Sequence, residues 1–589
     1  MHSQLGMRDA QSAHPDSPGF QVGFICWFGS IDGIPPDVGM LVAAMERTLA
    51  ETPALTVRLH DDDGSWTQVP AEPDDRPNIV VVDLSQEPDP LAAFYSRVDS
   101  VSEQSFELAD TALIRVEVTA IDATTVAVAG WAHHIVVDGY GAGLFRTRLL
   151  QHYVSLLRGH PSPPGFFGDF GELVRTERTA QPTDIDYWVS LLADPPRRVT
   201  FAEHTSRRAP RPRRSTITIA RDAIDVGHLD SGRPLSATLL AIVSAWTALL
   251  LGEDEAVIGV PRHNRSTPVE RTTPSMMMTE LPIRVAVPVD ATTASLAVEC
   301  HSALICGRPH TCVRPEDLHG AVPSAWRTGR VHGPSVNVQP FDLVHEFGGA
   351  SMRWELTNFG PIADMTIVFM TGSDDQIAVE ILTNPDLYTE VAHDRHVERL
   401  STFIHQCVTR EPHTPVIEHQ ILTADEIETH ESLRTCHGDR PREEAALSRG
   451  QNLSPAALAS AASARSPLSG LLVLNSRGRH VAFGEVGRVT LLGPTGSTHT
   501  DLLASVHPDG VTYHGRHSHR RFIRGHWVDL GAVADEVGAE DGVLSADVDP
   551  TRPSIVVVPV DPARAEDLTR ALRPKLPRGV RIDVTDRAR

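Results

Sequence analysis

The sequence predicts an α/β protein, and three observations carry that expectation. The apolar, β-branched run from Thr124 to Trp131 reads as a buried strand, and a helix-like segment from Gly143 to Leu157 follows it after a short loop. The nearly all-apolar stretch Ser236 to Leu251 reads as a buried helix, with a strand-like Ala256 to Val260 directly behind it. At 589 residues the chain exceeds what one compact core organises, so roughly two to four domains are expected.

The elements follow in order. Val38 to Leu49 carries Leu41, Met45 and Leu49 at helical spacing. Asn78 to Val82 is a short buried strand. Ala112 to Val118 and Thr124 to Trp131 form an antiparallel hairpin across Thr119 to Ala123. The Pro/Arg-rich stretch Ser206 to Arg214 interrupts the pattern, since proline at that density disfavours helix and central strand. It reads as an exposed linker or crossover, or as an arginine cluster that grips a phosphate or an acidic partner. Beyond the apolar helix, strands are expected at Leu281 to Val287, Pro334 to Val338, Met365 to Phe369 and Ile377 to Leu382, and a closing helix at Ala392 to Cys407. The first large unit ends near residue 425. Residues 426–470 are polar and Ala/Ser-rich, a linker with two short helices. From Leu471 the chain turns β-rich again, at Leu471 to Leu474 and Arg488 to Leu492.

Composition removes some functions. A net charge of -23 opposes a nucleic-acid partner, because a phosphate backbone is repelled by such a surface. The six cysteines form no CxxC pair, and Cys300, Cys306 and Cys312 recur at no zinc spacing, so reduced thiols in the cytoplasm are expected and no metal is. The N-terminal residues lack the basic and apolar regions of a signal peptide, and the longest apolar run, Ala237 to Leu251, contains Ser and Thr and is too short to span a membrane.

The most informative stretch is His133-His134-Ile135-Val136-Val137-Asp138-Gly139. It sits where a buried strand ends and a loop begins, a place from which a rigid scaffold presents a titratable side chain. A lone histidine beside a strand is more often structural than catalytic, and this chain is histidine-rich. The composite is far more specific: two histidines, an aspartate four residues after the second, and a glycine directly behind it.

With those residues in hand, the region from Ser3 to Thr423 resembles a condensation domain of nonribosomal peptide synthetases, a family with the chloramphenicol-acetyltransferase-like fold. His133 to Gly139 matches its His-His-x-x-x-Asp-Gly motif in full. Ser3 to Met7 resembles the opening motif, Gly168-Asp169-Phe170 the fourth, Ile258 to Pro261 with Arg265 the next, and Leu281 to Arg284 the strand behind it. Asn337 to Asp342, Gly360-Pro361 and Asn384-Pro385 resemble the late motifs. Met277-Met278-Thr279 departs from the usual Phe-Val-Asn, and Thr52 to Arg58 matches the early motif only loosely.

The resemblance implies two chloramphenicol-acetyltransferase-like lobes in a V-shaped arrangement, at 1–200 and 201–425, followed by the linker 426–470. It implies a freestanding enzyme that joins a carrier-bound acyl or aminoacyl thioester to an amine or hydroxyl acceptor. No cofactor is bound; substrates ride on phosphopantetheine arms of peptidyl or aryl carrier proteins that act in trans, or the acceptor is a small soluble amine or alcohol. His134 is the catalytic candidate, accepting the amine proton or holding the amine in line. His133 is its structural neighbour. Asp138 pairs with Arg265 to fix the loop, and Gly139 permits a tight turn or a close approach. Tyr140, Gly141, Asn337 and Gln339 are channel candidates, with simple core packing an equal reading for Tyr140. A CoA-dependent acyltransferase of the same fold and a catalytically silent carrier-binding scaffold are the alternatives.

Residues 471–589 resemble a degenerate adenylation-domain C-terminal portion, through Gly484 to Gly487, Ile523-Arg524-Gly525 and Asp529-Leu530-Gly531, with Asp501 at the ribose-binding position. No phosphate loop precedes it, Phe522 stands where that family has lysine, and the Gly-Lys tail is missing, so a structural appendage or docking platform is expected. The histidines at 514, 517, 519 and 526 give a minority metal reading.

Overall fold

The structure, a computed structural model, describes residues 4–434, 452–453 and 470–585, apart from 63–64, 72–76, 195, 197, 203–205, 207–208, 210, 226–232, 323–329, 340–343, 372–375, 412, 494–495, 509, 524–525, 550–551, 553, 562–564 and 578–579. The expectations for Phe341-Asp342, for Arg524-Gly525 and for most of the linker lie outside the described residues.

A six-stranded sheet organises the first half. Its order is Val344–Phe347, Ala350–Phe359, Gln21–Phe28, Val126–His133, Ile114–Ala120 and Ile79–Asp83. The hairpin expected around Thr119 to Ala123 forms with antiparallel register, Val118 opposite Val128. Ile79–Asp83 joins its outer edge in parallel, where Val80 and Val81 are exposed rather than buried as the apolar run suggested, because the strand has a neighbour on one side only. Val126–His133 is buried along its whole length, as its unbroken apolar run requires for a strand covered on both faces. Leu41, Met45 and Leu49 of the helix Val38–Ala50 share one core with Phe145, Leu149 and Tyr153 of the helix Gly139–Leu157.

A second six-stranded sheet runs Arg213–Ala220, Gln376–Thr383, Met365–Met370, Ser335–Gln339, Glu255–Arg262 and Thr279–Ala286. The helix Leu235–Leu251 is buried at every position from Ala237 on. It stops at Gly252, whose φ of 71° is the left-handed cap that glycine adopts without a Cβ clash. Helices Thr293–Gly307 and Glu390–Thr409 supply further residues to the same core.

The two halves are not consecutive in the chain. After Ser335–Gln339 in the second sheet, the chain crosses to the first, adds Val344–Phe347 and Ala350–Phe359, and returns at Met365. Within Ala350–Phe359 the inward Ala350, Met352 and Trp354 alternate with outward Ser351 and Arg353, the period-two signature of a half-buried strand.

The Pro/Arg-rich stretch does not remain loop throughout. Ala209 bridges to Ile362, and an eight-residue strand starts at Arg213. Its described arginines bond within the protein: Arg211 pairs with Glu103, Arg213 donates to Tyr388 O at 3.1 Å, and Arg214 grips both oxygens of Glu380 at 2.8 and 3.1 Å. The start of the expected linker is likewise structural. The helix Ala424–Arg434 buries Glu426, which pairs with Arg399 and accepts from Phe483 N at 2.6 Å.

Beyond it, Gly470–Leu474, Val486–Gly493, Gly496–His507 and Gly510–Arg516 form an antiparallel sheet with Asn452–Leu453, and Val543–Val548, Ser554–Pro559 and Arg581–Val584 form a small three-stranded one. Asp501 is occupied by Ser518, accepting from its N at 2.8 Å and its Oγ at 2.5 Å. Among the described residues no helix is long and apolar enough to cross a membrane, and Cys26, Cys300, Cys306, Cys312 and Cys407 are unbridged.

Candidate functional site

The strand Val126–His133 ends at the motif, and the helix Gly139–Leu157 begins inside it. The backbone N–H of His133 donates to Leu113 O (2.8 Å) and that of His134 to Phe20 O (2.7 Å), so both imidazoles leave a fixed main chain.

The two rings meet different surroundings. His133 is buried; its Nδ1 accepts from Ile135 N at 3.1 Å, which leaves Nε2 to donate to Gln11 Oε1 at 3.3 Å. That pattern needs the neutral tautomer, and burial pushes its pKa down to about 3. His134 instead lines a cavity of about 930 Å³. Burial lowers its pKa from 6.5, while its own carbonyl, the Asp138 carboxylate and the Val137 carbonyl act in the opposite direction. Its Nδ1 lies buried.

Asp138 borders the cavity, but both of its carboxylate oxygens are engaged within the protein. Arg265 Nη1 donates to its Oδ2 at 2.8 Å and Nη2 to its Oδ1 at 3.0 Å. Oδ1 also caps the helix by accepting from Gly141 N at 2.8 Å, and Oδ2 accepts from Met277 N and Met278 N at 3.0 and 3.1 Å. The pair is sealed, with side chains 2% and 0% exposed. Arg265 reaches further, to the carbonyls of His263 (3.0 Å) and Ser275 (2.9 Å). One carboxylate therefore ties a loop of the first half to two loops of the second. Met277 and Met278, which depart from the family pattern in side chain, serve here through their backbone N–H groups.

The other sequence candidates separate. Gly139, Tyr140, Asn337 and Gln339 all line the cavity. Tyr140 lies flat against His263 at 5.9 Å, under the Arg265 guanidinium at 4.7 Å, and donates its hydroxyl to Arg271 O at 3.2 Å. Gly141 is not among the lining residues. A Cβ there would stand 2.8 Å from Ser275 N and 3.0 Å from Ser275 O, so its glycine serves the close approach of the two halves rather than the channel wall.

Among the lining residues that escaped the sequence reading are His263 and Arg146. His263 Nδ1 accepts from Arg265 N at 3.1 Å, and burial lowers its pKa. Arg146 shares a helix face with Gly139 and Ala142, all three of which line the cavity. That spacing of three and seven was readable from the sequence once the helix start was known.

Two mixed α/β sheets joined by a crossing pair of strands, with a His-His-x-x-x-Asp-Gly loop beside the cavity, define the chloramphenicol-acetyltransferase-like class. The condensation-domain family model matches residues 35–429, and the chain belongs to that family. It is 28% identical over 423 residues to an isonitrile lipopeptide synthase of Streptomyces coeruleorubidus, covering 69% of this chain and 28% of that one. It is 24% identical over 420 residues to a dimodular nonribosomal peptide synthase of Bacillus subtilis (strain 168), covering 68% and 17%. The chain thus spans less than a third of the length of these curated relatives. Among solved structures it resembles the starter condensation domain of rhizomide synthetase, determined with C8-CoA and Leu-SNAC, at TM-score 0.64 and 24% identity over 71% of this chain and 96% of that one. The first condensation domain of the calcium-dependent antibiotic synthetase matches equally well, at TM-score 0.64 and 24% identity, covering 72% and 98%.

Proposed function

We propose that this protein joins an acyl or aminoacyl group, held as a thioester on the phosphopantetheine arm of a carrier protein, to an amine or hydroxyl acceptor. The observation that carries the reading is the His134 imidazole, its pKa lowered by burial, on the wall of a cavity lined by both halves. The condensation-domain relatives support the same chemistry.

A thioester is already activated, so the protein needs mainly proximity, orientation and proton management. The acceptor nitrogen attacks the thioester carbonyl, a C–N bond forms and the C–S bond breaks. With Nδ1 buried, Nε2 of His134 is the nitrogen that takes or holds the amine proton, which then passes to the departing thiolate. Positioned proton transfer of this kind contributes ~10²–10⁴-fold. Asp138 and Arg265 act by holding the loop, and His133 by fixing the strand end. Tyr140, Asn337 and Gln339 face the substrates.

The working unit is residues 1–425, in two lobes, the second of which lends two strands to the sheet of the first. Residues 471–589 form a structural appendage, consistent with Asp501 being occupied by Ser518. Carrier proteins, or a soluble amine or alcohol, are the partners, in the cytoplasm.

The test is His134→Ala, assayed by intact mass of loaded donor and acceptor carriers. Product formation falls by ~10²–10⁴-fold while the melting temperature holds. An unchanged product yield overturns the reading.

A further inference from the structure

Arg146 is a buried cation without an anion. It is 1% exposed and lines the cavity. Its guanidinium lies over the Trp354 ring at 3.7 Å and faces the Phe24 ring at 5.6 Å. Nε is buried without a hydrogen-bond acceptor, and among the described residues no carboxylate pairs with it. Among the described residues, every other arginine buried this deeply has a carboxylate partner: Arg148 holds Glu51, Arg265 holds Asp138 and Arg399 holds Glu426.

Among the described residues nothing nearby neutralises it. Cys26, the charge partner beside it, has its thiol pushed by burial up to about 12, so it stays protonated. Burial brings the guanidinium down only to about 10, so it stays charged at neutral pH. An isolated buried charge is costly, and proteins retain one where a ligand completes it. Ring stacking satisfies only the faces of the guanidinium; its N–H edge needs a planar acceptor.

We propose that the cavity takes a substrate bearing a carboxylate, gripped by the N–H edge of Arg146 between Trp354 and Phe24. This inference rests on the function proposed above and specifies its substrate class. Arg146 is seven residues beyond Gly139, about 10 Å along the helix. The carboxylate therefore sits well away from the reacting carbon, at the end of an acyl chain or of an acceptor side chain. The aromatic and aliphatic wall made by Phe24, Trp354 and Leu356 suits the chain that leads to it.

The test uses the full-length protein and two readouts. The first is calorimetric binding of suberate against its uncharged diamide. The wild type binds suberate about tenfold or more tightly, Arg146→Met abolishes the difference, and Arg146→Lys keeps part of it. Equal affinity of the wild type for both probes overturns the inference, as does discrimination that survives in Arg146→Met. Should Arg146→Met fail to fold, Arg146→Gln takes its place. The second readout is condensation by the wild type with suberyl or octanoyl donors, and with glutamate or glutamine as acceptors. A preference for the acidic member in one arm supports the proposal and says which substrate carries the carboxylate. Product without any acidic preference overturns it while leaving the proposed function intact. Absence of all product counts against the proposed function, and the calorimetry then decides Arg146 by itself.

Discussion

Burial lowers the pKa of both imidazoles in the His133–His134 pair, yet only one of them faces the cavity. That sets two pH dependences. As a neutral proton acceptor, His134 loses function only when protonated. The acid limb of kcat/KM therefore lies below the ordinary imidazole value of 6.5, and a profile falling already above 6.5 contradicts the assignment. His133 bears on stability. Its folded pKa is depressed to about 3, so the unfolded chain binds the extra proton first as pH drops. Its contribution is fully present above about 6.5 and is lost progressively as pH falls toward the folded value. Urea midpoints measured through that window should decline, and less steeply in His133→Asn. Asp138→Ala leaves Arg265 buried and unpaired, and chemical denaturation should show a loss of ~3–5 kcal/mol. Arg265→Ala should cost a similar amount, and the double variant less than the sum.

The helix Gly139–Leu157 does several tasks at the scale of one element. Asp138 caps it, Gly141 lets it approach Ser275, and its next two turns carry Phe145 into the core and Arg146 to the cavity. The periodicity of Gly143 to Leu157 made this helix legible in the sequence. The contact at Gly141 was not, because its partner lies 134 positions away and only the fold brings it near. Gly141→Ala should force the two halves apart by a few tenths of an ångström and cost ~1–3 kcal/mol. Thermal denaturation measures that cost, and a lowered product yield at constant His134 chemistry would accompany it. An unchanged melting temperature argues against the close approach.

At the scale of the molecule, the β-rich unit beyond residue 470 is fastened to the second half through backbone carbonyls. Arg477 donates to Glu253 O and Val287 O at 2.9 and 2.8 Å, and Arg479 to Ile417 O and to His419 O, the latter at 2.7 Å. Arg477→Ala removes the donors to Glu253 O and Val287 O, at ~1–3 kcal/mol, and hydrogen exchange at Val287 and at 470–516 should rise together. The sequence by itself determined the strands and helices with unbroken periodicity, the His133 to Gly139 loop between a strand and a helix, and the motif that marks the family. Those depend on neighbours within a few residues, where side-chain spacing decides which face is buried. Only the tertiary structure decided that Ala350–Phe359 completes the first sheet, that Gly141 meets Ser275, and that Arg146 stands charged and unpaired beside Trp354. A strand crossing from one lobe to the other's sheet, close packing and the pairing of a charge are relations between distant residues, and no local pattern records them.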